Sequence, residues 1–162
     1  MNVVVLGLGN LIRKDDGVGI HAVQLLSADR RIPCKVQIIE GGTLGLDLLS
    51  AVRGASHLLA LDAVDTAASP GTLSHFANEE LNSIPVSKSV HLLGFADLLG
   101  ALKILEDAPS EVVLLGMQPE STDWGLTLSP VVDAALKDFV EAALAQIVRW
   151  NHACPDAGAI TE

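Results

Sequence analysis

Two aspartates, Asp15 and Asp16, stand side by side where an apolar run gives way to a helical pattern, in Gly7-Leu8-Gly9-Asn10-Leu11-Ile12-Arg13-Lys14-Asp15-Asp16-Gly17-Val18. One carboxylate at such a junction is explained by helix capping, since it accepts backbone N–H bonds and complements the positive helix end, an effect of about 1 kcal/mol. The second is not, because adjacent like charges repel unless a cation or a donor lies nearby. Asp15 is assigned to the cap, and Asp16 reads equally as a cap or as a ligand. Asp62 follows Leu58-Leu59-Ala60-Leu61, so a strand there carries a carboxylate out of the core, either as a functional group or as the start of a turn. Among the histidines, His21, His57, His75 and His152 read as surface or core residues. His91 differs: it opens an apolar helical segment whose positive end should keep the imidazole neutral and able to bind metal. Two carboxylates and one imidazole form an incomplete coordination sphere suited to nickel, zinc or a similar borderline ion, with room for water or substrate.

Strands and helices must bring those side chains together, and the hydrophobic periodicity supplies them in alternation. Val3 to Leu8 reads as a buried strand and Gly17 to Ala28 as a helix closed by Asp29-Arg30-Arg31 and Pro33. Lys35 to Ile39 is a second strand, Gly41-Gly42 a turn, and Leu44, Leu48, Leu49 and Val52 mark a helix ending at Gly54. His57 to Leu61 is a third strand; Gly71 to Ala77 follows too closely for a crossover helix, so it is expected antiparallel to its neighbour. Residues 79–90 read as irregular, Leu92 to Leu105 as a helix and Glu111 to Gly116 as a strand. Ser129 and Pro130 then start a long last helix as N-cap and first helical residue.

Nearly unbroken apolar strands alternating with helices imply a three-layer α/β/α sandwich around a mostly parallel sheet. It forms one α/β domain over residues 1–150, with residues 151–162 expected to fray. In open sheets of this kind ligands gather beyond the strands' carboxyl ends. That rule selects Asn10, Asp15 and Asp16, then Glu40, Gly41 and Gly42, then Asp62, then Gln118 and Glu120. Gly7-Leu8-Gly9 hints at a dinucleotide fingerprint, but position 12 is Ile and the paired aspartates meet any incoming pyrophosphate with like charge. Tight turns and close helix–sheet packing explain the glycines better.

Composition narrows the partners. Twenty acidic against ten basic side chains give a formal net charge of −10, which argues against nucleic acid. Mean hydropathy is +0.42, yet no run reaches the roughly 18 uninterrupted apolar residues of a membrane span. Met1-Asn2 supplies no basic leader, so no secretory signal is expected. Cys34 and Cys154 show no zinc-type spacing, and a reducing cytoplasm fits them.

With those residues assembled, the sequence resembles the hydrogenase maturation proteases, which trim the carboxyl terminus of the nickel-iron hydrogenase large subunit. The resemblance runs from about Val3 to about Trp150. It is carried by Gly7-Leu8-Gly9-Asn10 with Asp15-Asp16-Gly17-Val18-Gly19, by Glu40-Gly41-Gly42-Thr43, by Leu61-Asp62-Ala63 and by His91-Leu92-Leu93-Gly94 before Ala96-Asp97. Gly116, Pro119-Glu120, Gly125-Leu126 and Ser129-Pro130 complete it.

The resemblance implies a five-stranded mixed sheet in order 2-1-3-5-4 with strand 4 antiparallel. It implies that Asp16, Asp62 and His91 are the metal-binding and catalytic positions and that Glu40, Gly41, Gly42 and Thr43 form a substrate loop, with Glu40 standing where the family more often has Asp. The metal would be nickel brought by the substrate, with zinc or cadmium able to replace it. The partner would be the hydrogenase large-subunit precursor, met by a cytoplasmic monomer with no membrane or nucleic-acid contact. A non-catalytic nickel-binding escort and a dinucleotide-binding α/β protein are the alternatives. No Ser or Cys nucleophile accompanies the constellation, which disfavours a covalent route. Residue types alone leave open whether the ion activates water or only marks the substrate.

Overall fold

A computed structural model describes residues 1–84 and 90–153 of the chain. The strands are β1 (Val3–Leu8), β2 (Val36–Gly42), β3 (His57–Ala63), β4 (Leu73–Ala77) and β5 (Glu111–Met117). The helices are α1 (Val18–Ser27), α2 (Leu49–Val52), α3 (Val90–Ile104) and α4 (Pro130–Ala153). The five strands form one sheet in the order β2-β1-β3-β5-β4. All neighbours are parallel except β4, which runs antiparallel to β5. Order and direction are those expected, and β4 is antiparallel for the reason given: its connection from β3 is too short for a crossover.

Alternation along the strands divides the interior into two cores. Val3 and Val5 of β1, Leu59 and Leu61 of β3, and Val113 and Leu115 of β5 face α1 and α4, where they meet Val23, Leu26, Phe139 and Ile147. Val4, Leu6, Leu58, Ala60 and Leu114 face the other way, against Leu48, Val52, Leu98 and Leu102. Two covered faces account for strands with almost no polar positions, and they make the three-layer sandwich. The glycines serve packing: a Cβ on Gly19 in α1 would collide with the carbonyl oxygens of Leu61 and Leu8.

Several local boundaries differ from the sequence expectation. The second helix is a 3₁₀ turn at Gly45–Leu48 followed by the single α-turn of α2, and Leu44 is exposed instead of joining its apolar face. Residues 78–83 form a 3₁₀ turn within the segment read as irregular. The helix α4 continues to Ala153, so residues 151–153 are helical where fraying was expected; the rest of the tail, like residues 85–89 of the segment read as irregular, lies outside the described residues. Cys34 is a free, exposed thiol. Among the described residues no helix is long and apolar enough to cross a membrane.

Candidate active site

The loop leaving β1 turns back sharply to present Asp16. Gly9, at φ +129°, makes this possible, because a side chain there would strike the carbonyl of Asp16. The backbone N–H of Asn10 donates to Asp16 Oδ2 at 3.2 Å, and a 3₁₀ turn over Lys14–Gly17 leads into α1. Asp15 does not cap that helix. It is fully buried, and its carboxylate accepts the N–H groups of Glu120 (2.9 Å), Ser121 (3.0 Å) and Ser129 (2.6 Å), and the Ser129 hydroxyl (2.8 Å). The capping assignment fails because these long-range donors outcompete the local helix end. Ser129 does occupy the position before Pro130, but its hydroxyl donates to Asp15.

Asp16 reaches across to α3. Its Oδ2 lies 2.9 Å from Nε2 of His91, and both side chains are largely buried, at 13 % and 7 % exposure. Asp62, at the carboxyl end of β3, is fully buried; its Oδ1 accepts the N–H of Ala63 at 2.9 Å. It lies close enough for its charge to act on His91. Burial is the largest single influence on that ring and lowers its proton affinity. The Asp16 hydrogen bond and the charges of Asp62 and Asp16 oppose burial and outweigh it, together with the counteracting charge of Arg13, so His91 titrates above its ordinary value. The helix end expected to hold the imidazole neutral is opposed by these carboxylates, which raise the ring's proton affinity.

The pair opens onto a cavity of about 260 Å³ lined by Leu8, Asn10, Arg13, Asp16, Gly42, Thr43, Gly45, Leu48, His91, Gly94, Phe95, Leu98 and Thr122. Of the expected substrate loop, Gly42 and Thr43 reach the cavity wall, whereas Glu40 is exposed on β2 and Gly41 is buried against Leu48. The loop carrying Thr43 touches α3 through Gly45 and Gly94, whose backbones pass so closely that a Cβ on Gly94 would lie 3.1 Å from the Gly45 Cα. Gln118, also proposed from its strand exit, is structural: its Oε1 accepts the N–H groups of Thr66 and Ala68. Arg13 and Thr122 line the cavity without having been singled out, although an arginine between a strand exit and a paired carboxylate was a visible signal.

Among the described residues no three His, Cys, Asp or Glu side chains are gathered as a ready-made cage for an ion. Asp16 and His91 instead satisfy each other, so a cation would enter by parting that hydrogen bond. The donor types, two carboxylates and one imidazole, suit a borderline divalent metal.

A family model described as hydrogenase maturation protease matches residues 20–146. The chain belongs to the hydrogenase maturation protease family. It is 35 % identical over 149 residues to the hydrogenase 2 maturation protease of Escherichia coli, a match covering 91 % of each chain. It is 36 % identical over 152 residues to the hydrogenase expression/formation protein HoxM of Cupriavidus necator, covering 92 % of this chain and 75 % of that one. Among solved structures, the hydrogenase maturating endopeptidase HybD from E. coli superposes with a TM-score of 0.86 at 32 % identity, covering 93 % of this chain and 94 % of that one. The [NiFe] hydrogenase maturation protease HybD from Thermococcus kodakarensis gives a TM-score of 0.77 at 29 % identity, covering 91 % and 99 % respectively. Within this maturation-protease fold, the Asp16–His91 pair and Asp62 sit where β1, β3 and α3 converge.

Proposed function

We propose that this member of the maturation-protease family is the endopeptidase that removes the carboxyl-terminal extension of a nickel-iron hydrogenase large-subunit precursor after nickel insertion, acting as a cytoplasmic monomer. The observation that carries the reading is the Asp16–His91 contact of 2.9 Å at a cavity of about 260 Å³, with the buried Asp62 carboxylate acting on the same imidazole. Asp16, Asp62 and His91 offer two carboxylates and a ring nitrogen to nickel carried by the substrate, so only a metal-loaded precursor seats with its peptide in the cleft.

Cleavage adds one water across a peptide bond: the hydroxyl goes to the carbonyl carbon and the proton to the leaving amine. A carboxylate–imidazole pair can take and return that proton. None of the described residues lining the cavity is Ser or Cys, which supports direct attack by water over an acyl-enzyme. Exposed apolar side chains on the loops at this end of the sheet, Leu11, Ile12, Leu44, Leu46, Trp124 and Leu126, are consistent with a protein substrate.

The test is incubation with the matched precursor, with and without bound nickel, followed by electrophoresis of the large subunit and mass spectrometry of the released peptide. Release from the nickel-loaded form alone is the expected result. Binding without release would favour the escort reading, and release irrespective of nickel would overturn the metal-recognition role.

A further inference from the structure

Arg13 is the only lysine or arginine among the described residues lining the active cavity, in a chain with twice as many acidic as basic side chains. Its position is fixed twice over. The backbone of the β1 exit loop is clasped to the loop after β5, with the Lys14 N–H donating to Gly125 O at 2.9 Å and the Gly125 N–H to Ile12 O at 3.0 Å. The side chain is then held by its own contacts: Nε donates to the carbonyl of Thr122 at 3.0 Å, and Cζ lies 5.3 Å from the ring centroid of Trp124. Those contacts use Nε and one face of the guanidinium. Among the described residues neither terminal nitrogen has a hydrogen-bond partner, and Arg13 makes no ion pair, because the neighbouring carboxylate of Asp16 is turned to His91.

A planar fork held rigidly in a cleft with its two terminal amino groups unpaired is suited to bidentate capture of a carboxylate. Resting on the proteolytic reading above, we infer that Arg13 is a specificity residue that binds a carboxylate of the substrate peptide beside the Asp16–His91 pair, with Thr122 and Trp124 as its positioning residues. Two sources share this chemistry: an acidic side chain flanking the scissile bond and the terminal carboxylate of the extension.

Arg13→Met, close in size but without the fork, should raise KM for nickel-loaded precursor by roughly 10-fold or more while kcat changes little, and Arg13→Lys should recover part of the loss. Each acidic residue of the extension and of the segment before the cut is then changed to its amide, one at a time, and a further precursor carries a carboxamide in place of its terminal carboxylate. The change that removes Arg13's partner should weaken wild type about as much as Arg13→Met does, yet have little effect on the Arg13→Met enzyme. Coupling to an internal acid identifies a side chain as the source, and coupling to the carboxamide identifies the terminus. Unchanged KM in Arg13→Met, or penalties that simply add for every substituted acid, would overturn the inference. Affinity for uncut precursor, measured by calorimetry on the same variants, gives the contrast without turnover. A wild type that binds but never cuts would therefore sink the protease reading while Arg13 is still judged on its coupling.

Discussion

At the scale of single residues, the hydrogen bond between Asp16 and His91 fixes both side chains in an orientation that metal recognition would have to break and catalysis could use. Asp16→Asn, Asp62→Asn and His91→Ala are expected to lower precursor processing by roughly 100-fold or more in protein that still folds cooperatively; a gel shift of the large subunit checks the first claim and a single calorimetric transition the second. In the free protein the sign of the pH dependence follows from the raised His91 value. The stabilisation from its bond to Asp16 is fully present below the ordinary histidine range and fades as pH rises through the raised value. Denaturation of wild type against His91→Gln from about pH 5 to about pH 9 should show a stability gap that narrows toward alkaline pH. Asp62 and His91 were legible as candidates because a charged group at a strand exit or a helix start is conspicuous in an apolar stretch. The buried structural role of Asp15 was not, since its donors Glu120, Ser121 and Ser129 lie far along the chain and nothing in the local pattern announces them.

At the scale of elements, two contacts decide whether the cavity keeps its walls. Asp15 holds the loop after β5 through backbone donors that would be left unpaired on its removal, so Asp15→Ala should destabilise the protein by about 3 kcal/mol or more, read from chemical denaturation. Limited proteolysis should then open that loop first. On the opposite wall Gly45, at φ +51°, meets Gly94 almost backbone to backbone. Gly94→Val should cost about 1–3 kcal/mol and displace the turn bearing Thr43, raising KM more than it lowers kcat. The strands were readable from the sequence because both sheet faces are covered and the apolar runs are unbroken. The turn over Gly45–Leu48 was misread as the start of a helix because Leu44 fits the spacing of Leu48, Leu49 and Val52 although its side chain is exposed.

At the scale of the whole molecule, the sheet order places the exits of β1, β2, β3 and β5 along one edge, and exposed apolar side chains crowd the loops there. Leu46→Ser with Leu126→Ser should leave thermal stability unaltered and raise KM for the precursor roughly 10-fold, because these side chains touch little within the fold and are available to a docking protein. Short precursor peptides should not show the difference. The layering followed from the alternation of strands and helices and the sheet order from the family resemblance, whereas the paired loops at the cavity mouth, which depend on hydrogen bonds between distant stretches, did not.

The clasp between residues 12–14 and Gly125, with Asp15 gripping the same segment, carries a consequence for biosynthesis. A chain made only as far as His91 holds Asp16, Asp62 and His91 but lacks the seat of Arg13 and the donors to the Asp15 carboxylate, Glu120, Ser121 and Ser129. The walls of the cavity are therefore complete only once the late strand and its following loop are in place.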